Sequence, residues 1–253
     1  MNASLPDAPF TPRFPDGGTV KVVGLGGVGG IVARYAAIFL ASLRERARLV
    51  LVDGDSFEPE NASRMLFSAT GNKAEVVRDD LLPHVADSRL SVVAVPEYLA
   101  PDNLERILRP GDIVVLAVDN HATRRLVDEF CARSLDDVCL ISGGNDGVEG
   151  PAAGPRGRGT FGNVQVYLRR GGRDLTPSLG REHPEIATAS GGLPGAQNCT
   201  AAIVSTPQIL FANLMTASAI LNALWLHLCG ALHYHETVFD IAEARMRPID
   251  GDG

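Results

Sequence analysis

The sequence predicts an α/β fold: a Rossmann-like, mostly parallel sheet with helices on both faces, plus C-terminal antiparallel strands and a long apolar helix. Three observations carry this. The run Val22-Val23-Gly24-Leu25-Gly26-Gly27-Val28-Gly29-Gly30 reads as a buried strand, a glycine turn and the start of a helix. Apolar strand patterns then alternate with amphipathic helix patterns, which argues for parallel strands joined by helical crossovers. Finally, the stretch from Ile186 to His235 holds no Asp, Glu, Lys or Arg. A helix that is apolar nearly all round belongs in a core or an oligomer interface.

Residues 1–17 hold four prolines and little periodicity, and read as an arm. From 18 to 253 the chain reads as a single domain. Strands are expected at 19–24, 48–53, 90–95, 112–118 and 138–142, and helices at 28–46, 72–82, 101–108 and 121–134. Texture changes after Gly143. Residues 143–160 are rich in Gly, Pro and Ala, which marks a loop. Gly162 to Arg170 alternates Val164, Val166 and Leu168 with polar residues, as a half-exposed strand does. Residues 171–200 return to loop composition, so that 143–206 forms a long excursion before the helix from Pro207 to Cys229. Long loops in compact domains are often functional. The segments Thr237–Ile241 and Arg245–Ile249 are expected to form a terminal hairpin.

Composition narrows the function classes. The 45% hydrophobic content is enough for a packed core, and the net charge of −7 with no Lys/Arg-rich block points away from a nucleic-acid partner. The stretch Pro207 to Cys229 is long enough to span a bilayer, but Gln208, Asn213, Thr216, Ser218, Asn222 and His227 interrupt it and no basic residues flank it closely; a buried helix is the expectation, with no membrane partner. The start of the sequence carries no basic-then-apolar signal pattern, so a cytoplasmic location is expected. The four cysteines, Cys131, Cys139, Cys199 and Cys229, form no C-x-x-C pair, and no structural zinc is expected.

The chemistry concentrates around the glycine turn. Backbone N–H groups at a helix start approach phosphate closely, and Asp53, at the end of the next apolar strand, stands where a carboxylate accepts from ribose hydroxyls. Gly24, Gly26, Gly27, Gly29 and Asp53 therefore read as a nucleotide site. The chain continues Asp53-Gly54-Asp55-Ser56-Phe57-Glu58-Pro59-Glu60-Asn61-Ala62-Ser63-Arg64, then Lys73, then Asp119-Asn120-His121-Ala122-Thr123-Arg124. Arg64 offers a planar fork for phosphate oxygens and Lys73 a compact charge. Asp119 stands just past a strand's carboxyl end, where open α/β sheets bind ligands, and a carboxylate there can hold Mg²⁺ or cap the following helix.

This ordered set resembles the ThiF/MoeB/HesA and ubiquitin-activating enzyme superfamily: a glycine-rich turn, an Asp-x-Asp strand end, an Asn-x-x-Arg, a downstream Lys and an Asp-Asn-x-x-x-Arg. The resemblance covers residues 19–143 in motif and the rest in outline. It implies ATP-dependent adenylation of the C-terminal glycine of a ubiquitin-like or sulfur-carrier protein. Asp53 would bind ribose, Asn61, Arg64 and Lys73 the phosphates, and Asp119 the magnesium, with Asp55 and Asn120 also among the cofactor-binding residues. Arg64, Lys73 and Asp119 would be the catalytic groups. A conjugating enzyme or sulfur donor, and pairing as a homodimer or with a related subunit, are further implications. Ala62 and Met65 stand where the family usually has Leu and Gln, the interval from Arg64 to Lys73 is shorter than in bacterial sulfur-transfer members, and only Arg13 could stand for their N-terminal arginine motif. These departures favour a divergent bacterial branch.

Activating enzymes often pass the acyl group to a cysteine. Cys131, Cys139 and Cys229 read as core fillers, whereas Cys199 sits in loop-like sequence before the last helix and is the candidate acceptor. His227, His233 and His235 fit no metal spacing and read as helix-end or core histidines. Two other readings use the same turn. One is an NAD-dependent oxidoreductase, in which Asn61, Arg64, Lys73 and Asp119 would have no task. The other is a nucleotide-binding scaffold without catalysis, which the missing arginine motif favours and the retained Asp119, Arg64 and Lys73 oppose.

Overall fold

The computed structural model describes residues 10–59, 61, 65–148, 157–195 and 208–249. The first strand, β1 (Gly18–Val23), runs into helix α1 (Gly29–Ala41), and β2 (Ala47–Val52) returns beside β1. Helix α1 ends five residues before the expected boundary. The Ser42 hydroxyl and N–H both turn back onto the Phe39 carbonyl and close its last turn. Two short strands unmarked by periodicity follow, β3 (Ser56–Phe57) and β4 (Gly71–Asn72), which pair antiparallel. Helix α2 (Lys73–Val85) passes through Pro83 because Leu81 and Val85 both bury into the core and hold its last turn. Strand β5 (Leu90–Val95) pairs with β2; helix α3 (Leu104–Ile107) is a single turn, shorter than the expected 101–108. Strand β6 (Ile113–Leu116) pairs with β1, helix α4 (His121–Ser134) follows, and β7 (Val138–Asn145) pairs with β6.

The second half turns antiparallel. Strand β8 (Phe161–Arg170) pairs with β7, and β9 (Arg173–Asp174) folds back on its end. Within the stretch of loop composition stand two one-turn helices, α5 (Leu179–Glu182) and α6 (Pro184–Ala187). Asp128 of α4 fixes the start of α5 by accepting from the Leu179 and Gly180 N–H groups at 2.9 and 3.0 Å. Helix α7 (Leu210–Leu228) precedes β10 (Glu236–Asp240) and β11 (Arg245–Ile249), the terminal hairpin. The nine-stranded sheet runs β11-β10-β8-β7-β6-β1-β2-β5 with β9 on β8.

Alternate residues of one strand serve opposite cores. Ile113 and Val115 pack with α1, α2 and α7 on one face, while Val114 and Leu116 pack with α3, α4, Leu179 and Ile186 on the other. Helix α7 is long and apolar enough to cross a bilayer by length and composition, and in the fold it packs against α1, β7 and β8. The segment before β1 meets its end: Arg13 N–H donates to the Leu228 carbonyl at 2.8 Å, and Phe10 meets Trp225 edge-on. From β1 the sheet grows one way through β2 and β5 and the other way through β6 and β7. The gap between the β1 and β6 carboxyl ends is therefore the switch point at which such sheets bind ligands.

Candidate functional site

A cleft of about 1540 Å³ opens at that switch point. Gly26, Asp53, Asp55, Asn61, Lys73 and Asp119 all line it. The turn between β1 and α1 is built by close approach. Gly24 has φ +84°, and a Cβ there would sit 2.9 Å from the Ala117 carbonyl; a Cβ on Gly29 would run into the Gly24 carbonyl. Gly26, by contrast, lines the cleft, and a Cβ there would make only ordinary van der Waals contact with the Met65 methyl at 3.8 Å.

Asp53 is buried and ties this turn to β2. Its Oδ2 accepts from Leu25 N–H at 2.6 Å and its Oδ1 from Asp55 N–H at 2.8 Å. Burial pushes its carboxyl pKa up, against the lowering pull of Leu25 N–H and Lys73. Each oxygen keeps a second lone pair, so its backbone role leaves acceptor capacity. Asn72 joins the same strand end to α2. Its Oδ1 accepts from Ala74 and Glu75 N–H, and its Nδ2 donates to the Asp53 and Asp55 carbonyls at 2.9 and 3.1 Å.

Lys73, the first residue of α2, is nearly buried, and its Nζ lies 3.1 Å from Asp55 Oδ2. The other oxygen of Asp55 accepts from the Tyr98 hydroxyl. Burial and the Asp55 carboxylate together push the Tyr98 phenol up. Asn61 holds its own loop, with Oδ1 accepting from Glu58 N–H at 3.1 Å. Arg64 and Cys199 lie outside the described residues.

Across the cleft, Asp119 follows β6. The capping role open to it in sequence falls to its neighbour: Asn120 Oδ1 accepts from Thr123 N–H at 2.8 Å. The Asp119 carboxylate is exposed to the cleft and makes no hydrogen bond among the described residues. Of the other residues that line the cleft, Thr123 and Asn145 each have a buried side-chain oxygen without a partner among those residues. An exposed carboxylate is a hard oxygen donor of the kind that suits Mg²⁺ and its water shell, so Asp119 fits that ion.

The structure adds groups to which sequence gave no role. Arg124 is buried under Gly144, with Nη1 on Ser142 Oγ at 2.8 Å and Nη2 on the Val118 and Gly143 carbonyls at 2.8 and 3.0 Å. Burial lowers its pKa to about 10, a cost that Asp119 partly offsets. At the far end of the cleft His183 Nε2 lies 2.9 Å from Glu236 Oε1, which also accepts from Asn163 Nδ2 at 2.8 Å. Lone residues on separate elements leave no motif; only the Asp-Asn-x-x-x-Arg pattern marked Arg124. Of the residues expected as core fillers, Cys131 and Cys139 are buried, whereas Cys229 at the end of α7 is only half-buried because the helix stops there at the surface. His227 and His235 are partly and fully buried, and burial drives His227 down to about 4.

The profile of the ThiF family matches residues 17–247. The chain belongs to the ThiF family. Among curated proteins it is similar to Protein HesA of Leptolyngbya boryana, 30% identical over 138 residues, covering 52% of this chain and 46% of that protein. It is also similar to the adenylyltransferase and sulfurtransferase MOCS3-1 of Zea mays, 33% identical over 138 residues, covering 52% of this chain and 27% of that protein. The chain thus matches less than half the length of either relative. Among solved structures, E. coli MccB with ATP superimposes with a TM-score of 0.65 at 16% identity, covering 92% of this chain and 63% of that one. The microcin C7 biosynthetic enzyme MccB with N-formylated MccA gives 0.65 at 16% identity, with 92% and 64% covered. These likenesses establish the fold as that of ThiF and MccB proteins.

Proposed function

We propose that this chain is an ATP-dependent adenylyltransferase that activates the C-terminal carboxylate of a ubiquitin-like protein, sulfur-carrier protein or peptide. One observation carries the reading: the glycine turn, the Asp53–Asp55–Lys73 wall and the uncapped Asp119 carboxylate face a single cleft at the switch point of a ThiF fold. The relatives named as adenylyltransferases support the reaction class.

In this reading the phosphates lie at the α1 N-terminus, where backbone N–H groups and the helix dipole favour negative charge. Asp53 accepts from the ribose, within the capacity its backbone bonds leave. Lys73, Asn61 and Arg64 hold the polyphosphate, Arg64 on the strength of the sequence motif alone. Asp119, steadied by the Asn120 cap beside it, would hold Mg²⁺, and the ion would supply positive charge to offset that of the phosphates. The substrate carboxylate oxygen attacks the α-phosphorus, the bond to the β-phosphate oxygen breaks, and an acyl-adenylate and pyrophosphate result. The carboxylate is already ionised at neutral pH, so no general base is required. Transfer of the acyl group to Cys199, with release of AMP, is the second half of the proposal and rests on sequence.

The test is ATP–pyrophosphate exchange driven by a small ubiquitin-like or sulfur-carrier protein that ends in Gly-Gly. Asp119→Ala is expected to abolish exchange while circular dichroism stays unchanged. Exchange at the wild-type rate removes Asp119 from the mechanism, and NAD binding equal to or tighter than Mg²⁺–ATP overturns the adenylation reading. Cys199→Ala is expected to retain exchange and lose any thiol-reducible conjugate.

A further inference from the structure

Asn213 lies in the first turn of α7 and is wholly buried among Ala212, Thr216 and Ala217. Neither its Nδ2 nor its Oδ1 has a hydrogen-bond partner among the described residues. A primary amide in that state pays its full desolvation for no bond, and a leucine of nearly the same shape would not. The amide is pressed against the glycine turn: a Cβ built on Gly27 would collide with Asn213 Nδ2, with Oδ1 at 3.8 Å. The Gly27 side of the contact is equally unmatched. Its neighbours are engaged, with Gly30 N–H on the Gly26 carbonyl and the Ile31 and Val32 N–H groups on the Val28 carbonyl. The Gly27 N–H and C=O make no bond among the described residues. A donor–acceptor side chain and an unpaired peptide thus stand in contact without being paired.

We propose that Asn213 is a positioning residue of the nucleotide site, its Nδ2–H donating to the Gly27 carbonyl when polyphosphate occupies the turn. The inference rests on the reading of the cleft as an ATP site. Its physical basis is the planar trans peptide, in which the Gly27 C=O and the Val28 N–H point in opposite directions. A phosphate oxygen that draws the Val28 N–H toward the cleft turns the Gly27 carbonyl away from it, and the Asn213 amide of α7 packs against Gly27. The heavy atom nearest the Cβ position of Gly27 is the Asn213 amide nitrogen, a donor. The bond polarises the same peptide and strengthens its N–H as a phosphate donor. Asn213 is absent from the cleft wall and acts only through the turn.

The experiment uses the whole chain as Asn213→Leu and Asn213→Ala, with calorimetric titration of Mg²⁺–ATP and thermal unfolding without nucleotide. Asn213→Leu is expected to melt at or above wild type while its ATP dissociation constant rises about tenfold. These two changes have opposite signs, which a merely structural asparagine would not give. Asn213→Ala is expected to lose the same affinity at a lower melting temperature, and it carries the test if the leucine variant does not fold. Wild-type ATP affinity in either folded variant overturns this inference alone. Failure of the wild-type protein to bind Mg²⁺–ATP overturns the reading of the site and this inference with it.

Discussion

Lys73 Nζ lies 3.1 Å from Asp55 Oδ2, pairing a lysine side chain only 11% exposed with a carboxylate that is 52% exposed. The carboxylate both neutralises the ammonium and aims it along the cleft wall, while the Tyr98 hydroxyl holds the carboxylate's second oxygen. Lys73→Ala is expected to lower ATP–pyrophosphate exchange by about 10²-fold, since the charge that builds on departing pyrophosphate loses its partner. Asp55→Asn is expected to split the constants. The KM for ATP stays at or below wild type because a negative charge is gone, and kcat falls because Lys73 is no longer aimed. Steady-state exchange kinetics check both.

Asn72 is a joint as well as a cap. Asn72→Ala removes two acceptor bonds from the start of α2 and two donor bonds to the β2 end, and is expected to destabilise the protein by about 1–2 kcal/mol in urea unfolding. Asn72→Asp keeps the cap acceptor and loses both donors. It is expected to fall between wild type and alanine in stability but to match alanine in lost exchange activity.

Arg124 bonds three acceptors on two strand ends, and no other side chain of its size has that reach. Arg124→Met is expected to cost about 2–4 kcal/mol, because two backbone carbonyls and a serine hydroxyl lose their donor in a buried place. Arg124→Lys recovers only part of that, since one ammonium cannot serve Val118, Ser142 and Gly143 in the same plane. Equal stability of the lysine variant and wild type would contradict the fork geometry.

The His183–Glu236 pair makes stability depend on pH. The hydrogen bond to Glu236, helped by that of the other ring nitrogen to Glu185 and opposed by burial, raises His183 from 6.5 to about 9. Burial alone would raise Glu236, but His183 and Asn163 outweigh it and hold it below 4.5. A histidine raised on folding contributes stability in full below pH 6.5 and loses it as pH climbs through about 9; the depressed glutamate contributes above 4.5 and loses its share on acidification. The stability difference between wild type and His183→Gln is therefore expected to be flat near pH 5–6 and to shrink by on the order of 2 kcal/mol toward pH 9. Urea titrations at several pH values measure it, and a difference independent of pH rules out the charged pair.

The sequence by itself determined the alternating parallel sheet, the glycine turn after β1, the acidic ends of β2 and β6, the apolar helix and the terminal hairpin. Each of these is written in local patterns: periodicity, glycines where the backbone must approach closely, and carboxylates at strand ends. Those patterns also placed Asp53 and Asp119, and the family resemblance added Asp55, Asn61 and Lys73; all five line one cleft. Tertiary structure alone decided how these residues are held. Tyr98 meets Asp55, Arg124 meets Ser142, His183 meets Glu236 and Asn213 meets Gly27 only because the sheet order brings distant strand ends together. Local rules also could not choose between neighbours: Asn120 rather than Asp119 caps α4, leaving the carboxylate to the cleft. The reason is physical. Periodicity and turn chemistry act over a few residues, whereas hydrogen-bond pairing in a fold is fixed by side chains whose separation in sequence carries no signal.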